Sequence, residues 1–114
     1  MADWFTPHII EDADQRGWLF YRLAPGHTAE IVDIEVRNVY RRTGVGRALL
    51  DAMLAELPVA VGTVYAFTRQ SNFVAQDWYE ALGFHSSYLS RFYGDDDPDA
   101  VLYVRRRWAL GDRR

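Results

Sequence analysis

Short runs of apolar, β-branched and aromatic residues recur along the chain and are separated by turn residues, a pattern that predicts β-strands. Pro25-Gly26 is a strong turn signal between two of these runs, which we therefore expect to form a hairpin. The run over residues 59–68 is almost continuously apolar, which predicts a central strand that is covered on both faces. The predicted strands are residues 6–11, 18–23, 28–36, 59–68, 84–93 and 100–108.

Two segments follow a helical pattern instead. Leu49, Leu50, Met53, Leu54 and Leu57 form one apolar stripe at the 3.6-residue period, and a proline directly after the stripe ends that helix. A second helix is predicted to begin at a Ser or Asn cap, at position 71 or 72, and to end at a glycine, position 83. The order β-β-β-α-β-α-β-β predicts an α/β (α+β) fold, a mixed sheet with two core helices, as a single domain over residues 1–114.

Composition narrows the class of protein. The chain has 114 residues and no cysteine, which excludes disulfides, thiolate nucleophiles and Cys-based zinc sites. Its net charge of −3 argues against a general nucleic-acid binder. No apolar run approaches the roughly 20 residues that span a membrane, and the first four residues carry no secretion signal. We expect a cytoplasmic protein.

A glycine-rich turn stands between the third strand and the first helix. It contains Gly44 and Gly46, and Arg41, Arg42 and Arg47 surround them. A helix N-terminus presents unpaired N–H groups with a partial positive charge, and glycines let an anion approach the backbone, so the turn suits a pyrophosphate. The dinucleotide-binding fingerprint lacks its third glycine here, and a P-loop would need a lysine, which the chain does not contain. An ordinary tight turn with arginines around it is the alternative.

With these residues the chain resembles the GNAT superfamily of N-acetyltransferases. The superfamily's coenzyme motif is a strand followed by Q/R-x-x-G-x-G/A at the start of a helix, and Arg41-Arg42-Thr43-Gly44-Val45-Gly46 here follows the strand that ends at Val36. A second motif, an Asn followed seven residues later by a Tyr and closed by Gly-Phe, is matched by Asn72, Tyr79 and Gly83-Phe84. The two motifs stand in the superfamily's order, and the resemblance extends over roughly residues 17 to 108.

The resemblance implies an acetyl-CoA-dependent N-acetyltransferase that acts on a primary amine without a metal. It implies that the backbone of Ile34, Glu35 and Val36 pairs with the pantetheine arm, that Asn72 contacts the pantetheine region, and that Tyr79 is the general acid beside the thioester sulfur. The residues implied to hold the pyrophosphate are Arg42, Thr43, Gly44, Val45, Gly46 and Arg47. Arg41 is expected to add counter-charge to the same coenzyme site.

The helical spacing agrees with a role for Tyr79. Asn72, Ala75, Gln76 and Tyr79 lie at i, i+3, i+4 and i+7, so they share one helix face. A phenol with a pKa of about 10 is protonated at neutral pH and can protonate a leaving thiolate. The alternative for Tyr79 is a core aromatic residue that only packs.

A base is also needed, because only about one alkyl amine in two thousand is neutral at pH 7. Glu30, Asp33 and Glu35 are carboxylates on the strand before the turn. Glu30 ranks first, because it stands where the histone-modifying branch of the superfamily places its catalytic glutamate, and Glu35 ranks second. Strand alternation sends Glu30 and Glu35 to opposite faces unless a bulge intervenes, and both could be solvated surface charges.

The chain departs from the superfamily on the acceptor side. Members usually carry a strand and two helices before the hairpin, and their connecting loop walls the acceptor site. Here the glycine turn begins by residue 41, which leaves no room for them. A second copy of the chain, as a homodimer, or a large acceptor could complete the site. The alternative function is a non-catalytic acyl-CoA-binding module or a subunit of a larger assembly. The acidic segment 95–99 is either a solvated loop or a grip for a cation.

Overall fold

The computed structural model describes residues 6–108, so the first four residues, with no predicted secretion signal, lie outside the described residues. One six-stranded sheet has the order β1-β2-β3-β4-β6-β5, and all neighbouring pairs are antiparallel except β3 and β4. The predicted order of elements is confirmed. The elements are β1 His8–Glu11, β2 Gly17–Ala24, β3 Thr28–Val36, a 3-10 turn Asn38–Tyr40, α1 Val45–Glu56, β4 Thr63–Arg69, α2 Phe73–Ala81, β5 His85–Leu89 and β6 Ala100–Arg106.

Both helices form for the reasons that the sequence indicated. Leu49, Leu50 and Met53 are buried against the sheet, and α1 ends before Pro58. The cap of α2 is Asn72 rather than Ser71, because the Asn72 side chain accepts a hydrogen bond from the Ala75 N–H at 3.2 Å.

The expectation for the fourth strand was wrong in two respects. The strand starts at Thr63, because residues 58–62 are the connection from α1 back to the sheet. It is also covered on one face only: Val64 and Ala66 are buried, whereas Tyr65 and Phe67 on the other face are partly exposed. The apolar run therefore reflects β-branched and aromatic residues that suit a strand, and not two covered faces.

Both helices lie on the same face of the sheet. Buried side chains of α1 and α2 belong to one hydrophobic cluster with Val64 and Tyr103, and Gly46 of α1 touches Trp78 of α2. Within residues 6–108, no helix covers the opposite face. The described helices are also all too short and too polar to cross a membrane.

Candidate active site

The parallel strands β3 and β4 separate after a short common stretch. Their ladder pairs Thr28 with Thr63, Ala29 with Val64 and Glu30 with Tyr65. Beyond that point neither described strand has a ladder partner across the gap, although β3 stays paired with β2, and β4 with β6. The facing edges of residues 31–36 and 66–69 thus present backbone N–H and C=O groups to an extended ligand, which can pair with them as an added strand does. Ile34, Glu35 and Val36 lie on this open edge.

The glycine turn closes one side of the same opening. Gly44 is the N-terminal cap residue of α1 with φ 92°, and Arg42 before it has φ 66°. A left-handed backbone is easy for glycine and costly for most other residues. Within residues 6–108 no side chain caps the first turn of α1, so its amides are available to an anion. Arg42, Thr43, Gly44 and Arg47 are exposed there.

The Arg41 side chain contacts the end of β3. Its Nε donates to the Val36 carbonyl at 3.2 Å, and its Nη2 lies 3.8 Å from Glu35 Oε2. The side chain therefore folds back onto the end of β3. Val45, also in the predicted set, is buried, so only its backbone is available to a ligand.

Gly46 has a neighbour that the sequence did not indicate. A β-carbon at this position would lie 2.1 Å from Trp78 Nε1, which no real side chain tolerates. Glycine here makes room for an indole on α2. The sequence could not reveal the contact, because nothing local links the two positions.

Tyr79 projects from α2 into the sheet and is 3 % exposed. Its ring stacks on Tyr103 at 5.2 Å and meets Trp78 and Phe84 edge-on. Burial raises the pKa of Tyr79 well above its ordinary value, and the negative charges of Asp33 and Glu30 raise this pKa further. The phenol is therefore protonated at neutral pH and lies within electrostatic range of two carboxylates on β3. The core-packing alternative also holds, since the ring is part of the core.

A bulge in β3 decides where the carboxylates lie. Phe20 pairs with Asp33 but Tyr21 pairs with Ile31, so Val32 is the extra residue. The bulge reverses the alternation, and Glu30, Asp33 and Glu35 share the face that no helix covers, opposite Arg22, Phe20 and Trp18 of β2. Glu30 and Glu35 therefore lie on the same face of the sheet, as expected if a bulge intervenes between them.

The two ranked carboxylates differ in their surroundings. The Glu30 side chain is 13 % exposed, and its Oε1 accepts a hydrogen bond from Arg22 Nε at 2.9 Å and forms an ion pair with Arg22 Nη2 at 2.8 Å. Glu35 is 47 % exposed and lies near Arg41. Glu30 acts on the pKa of Tyr79 and Glu35 does not, whereas Asp33, which sequence reasoning left unranked, exerts the larger effect. Asp33 could have been ranked with Glu30 only if the bulge at Val32 had been known, because the bulge places both carboxylates on one face.

The acidic loop between β5 and β6 is internally bonded. Asp95 accepts from Arg69 Nη1 at 2.9 Å, Asp97 from the Ser71 hydroxyl at 2.5 Å, and Asp99 from the Tyr88 hydroxyl and the Arg91 N–H. These bonds fasten the loop to the end of β4 and the start of α2. Among residues 6–108, no group of three or more His, Asp or Glu side chains is arranged to hold a metal ion.

The described residues thus combine a parallel strand pair that separates, an uncapped helix N-terminus that follows one of these strands, a buried tyrosine and carboxylates on a strand. Residues 4–84 match the profile of the Acetyltransferase (GNAT) family. The chain belongs to this family. Its mixed sheet and two helices are the fold of GNAT acetyltransferases, as the structural comparison below confirms.

Named relatives fall in the same family. The chain is 37% identical over 78 residues to the [Ribosomal protein bS18]-alanine N-acetyltransferase of Escherichia coli, covering 65% of this chain and 53% of that protein. It is 38% identical over 74 residues to an N-alpha-acetyltransferase of Sulfurisphaera tokodaii, covering 63% of this chain and 44% of the relative. The crystal structure of the E. coli S18-alanine enzyme superposes with a TM-score of 0.68 and 25% identity, over 96% of this chain and 75% of that one. The chain spans about half the length of the curated relatives that it matches.

Proposed function

We propose that this protein is an N-acetyltransferase that moves the acetyl group of acetyl-CoA directly to a primary amine, either a small amine or a protein N-terminus or lysine. The observation that carries the proposal is the gap that opens between β3 and β4 beyond Glu30. The uncapped turn of α1 follows β3, and Tyr79 lies within electrostatic range of Glu30, and both support the proposal. Membership of the GNAT family and the names of the two relatives support the same reaction class.

The chain's own groups fit the coenzyme. The open edge at Ile34, Glu35 and Val36 can pair with the amides of the pantetheine arm, and the first turn of α1, residues 42–47, can hold the pyrophosphate. Asn72 uses its Oδ1 for the α2 cap and is exposed shortly after the end of β4, so its amide N–H groups are available to the pantetheine region. Arg41 supports this binding by fixing the end of β3.

The reaction requires three proton transfers. Glu30, or a water that it orders, takes a proton from the ammonium, and the neutral nitrogen attacks the thioester carbonyl. The C–N bond forms, the C–S bond breaks, Tyr79 donates a proton to the leaving thiolate, and the second proton that the nitrogen loses restores the Tyr79 phenol. Protonation of Glu30 removes one of the two charges that raise the pKa of Tyr79, so Tyr79 becomes a stronger acid once the base has acted.

Glu35 is the second choice for the base. It is more exposed than Glu30 and does not influence Tyr79, and both observations favour Glu30. Replacement of each by Gln separates them: the variant that lacks the base loses turnover most at low pH, where the neutral amine is scarcest.

The proposal is tested first by binding and then by turnover. Acetyl-CoA at a hundred times its Kd stabilises the protein by about 2.7 kcal/mol, and for a domain of this size we expect the thermal midpoint to rise by roughly 10 °C, with no such rise for ATP. Peptides with a free N-terminus are then tested as acceptors by the release of the coenzyme thiol, and the same peptides with a blocked N-terminus are the control.

Tyr79→Phe tests the acid directly. The variant keeps the ring and loses the proton, so kcat falls at least tenfold, about 1.4 kcal/mol of barrier, while the Kd of acetyl-CoA changes little. Unchanged turnover in this variant would remove Tyr79 from the mechanism.

One observation favours a second function, a non-catalytic acyl-CoA-binding module. The face with Glu30 and Asp33 has no helix over it among the described residues, and this face would receive the acceptor. Coenzyme binding without thiol release from any acceptor would support the module.

A further inference from the structure

Helices α1 and α2 meet at Gly46 and Trp78. A β-carbon built on Gly46 would lie 2.1 Å from Trp78 Nε1, 2.9 Å from its Cδ1 and 3.1 Å from its Cε2. Gly46 does not need to be glycine for its own backbone, because its φ, unlike that of Gly44, is not positive. The absence of a side chain at Gly46 therefore makes room for the indole of Trp78. The superfamily motif accepts alanine at this position, but in this chain an alanine would clash with the indole.

Trp78 is held in this place by packing. Its Nε1 atom is buried and has no hydrogen-bond partner in the described part of the chain. An unpaired buried N–H group costs free energy and therefore calls for an explanation. The indole instead packs edge-on against Tyr79, with ring centroids 4.8 Å apart and an interplanar angle of 74°, and it also contacts Phe84 at 6.4 Å.

Tyr79 cannot move independently of this indole. Phe84 at 5.1 Å and the stacked Tyr103 at 5.2 Å enclose its ring on other sides. A shift of Trp78 must therefore shift Tyr79, because cores are close-packed and have little free volume to absorb it.

We propose that Gly46 and Trp78 are a positioning pair that sets the spacing between the phosphate-binding turn of α1 and Tyr79. The turn holds the pyrophosphate end of the coenzyme, and the pair brings the phenol to the sulfur at the other end. This inference rests on the proposed function of Tyr79. It assigns the missing side chain of Gly46 to the alignment of the acid and not to the approach of the phosphate, since the side that a β-carbon would occupy is filled by the indole.

The test is a double-mutant cycle with Gly46→Ala and Trp78→Leu. Acetyl-CoA and a hexapeptide with a free N-terminal alanine are the substrates, thiol release gives kcat, and calorimetry gives the Kd of coenzyme A. We expect Gly46→Ala to lower kcat at least tenfold, as small misplacements of reacting groups do, and to change Kd less than about threefold. In the Trp78→Leu background the same change should alter kcat less than about twofold, because the added carbon meets no indole.

Gly62→Ala is the matched control. Its β-carbon would meet no heavy atom within 4 Å, and its φ is not positive, so kcat and Kd should stay unchanged. A Gly46→Ala loss that persists fully in the Trp78→Leu background, or that falls on Kd, would overturn the proposal and return Gly46 to phosphate binding.

A second measurement needs no acceptor. In protein labelled with fluorotyrosine, the ¹⁹F signal of Tyr79 is the one lost in Tyr79→Phe. Gly46→Ala should move this signal in the parent and leave it in place in Trp78→Leu, and Gly62→Ala should not move it. An unmoved signal contradicts the positioning role. If Tyr79→Phe itself retains full turnover, the proposed acid fails, and that result is distinct from an unmoved signal.

Discussion

The two ends of helix α1 are finished in opposite ways. At the N-terminus Gly44 takes a left-handed conformation, no side chain caps the first turn, and Arg47 extends into solvent. At the C-terminus the buried Arg107 donates from its two Nη atoms to the carbonyls of Leu54, Leu57, Pro58 and Val61, over distances of 2.7 to 3.2 Å.

Helix ends leave backbone groups unsatisfied, and a protein can either satisfy them internally or keep them for a ligand. In this chain the C-terminal carbonyls are satisfied by an arginine from the end of β6, which contributes to stability. The N-terminal amides are kept available, which contributes to binding. Substitutions at the C-terminal end of α1 should therefore lower the free energy of unfolding, and substitutions at the N-terminal end should weaken the binding of the coenzyme.

The largest effect is expected for Arg107→Met. The substitution removes the Arg107 donors from the carbonyls of Leu54 and Leu57 at the α1 C-terminus and from those of Pro58 and Val61 in the connection after it. The free energy of unfolding should therefore fall by about 3 kcal/mol. Urea unfolding measures the loss. Arg106→Met, at the exposed neighbouring position, is the control and should change stability by less than about 0.5 kcal/mol. A loss of coenzyme affinity in folded Arg107→Met would contradict the division between the ends.

An intermediate effect is expected for Arg47→Gln. This residue lies in the first turn of α1 and is exposed, so its removal takes away counter-charge for a pyrophosphate without disturbing the core. The Kd of acetyl-CoA should rise threefold to tenfold, and more at low ionic strength, with the thermal midpoint unchanged. Arg106→Gln carries the same change of charge at the far end of the sheet and should leave Kd unaltered. If Arg47→Gln and Arg106→Gln weaken acetyl-CoA binding equally, the effect comes from the net charge of the protein and not from the position of Arg47.

The smallest effect is expected at Tyr21, which packs beside the C-terminal end of α1. Its hydroxyl donates to Glu56 Oε2 at 2.5 Å. Burial, followed by this hydrogen bond and the Glu56 charge, raises the pKa of Tyr21 above its ordinary value. Because the folded-state pKa is raised, this stability is complete below the unfolded pKa of about 10 and is lost as pH rises above it. Tyr21→Phe should cost about 1 kcal/mol at pH 7, and the difference should shrink above pH 10. A difference that stays constant with pH would exclude the Glu56 hydrogen bond as its cause.

Much of the fold was predictable because it depends on near neighbours in the chain. The apolar stripe of α1, the turn at Pro25-Gly26 and the bounds of β3 were indicated correctly, since periodicity and turn residues act within a few positions. The start of β4 was placed too early at Val59, because an apolar residue has the same appearance in a connection as in a strand.

The candidate site was predictable only in part. The glycine turn and the Asn72–Tyr79 spacing stand out in the sequence, because each lies within one short segment. The bulge at Val32, which places Glu30, Asp33 and Glu35 on one face, depends on the register between β2 and β3.

The amino-acid sequence by itself therefore determined the order of strands and helices, the uncapped glycine turn and the family of the protein. Only the tertiary structure decided that β3 and β4 part after Glu30, that Gly46 makes room for Trp78, and that Arg107 closes the far end of α1. The physical reason is separation along the chain. These contacts join residues whose local patterns carry no information about each other, and they exist only because the two helices pack on one face of a single sheet.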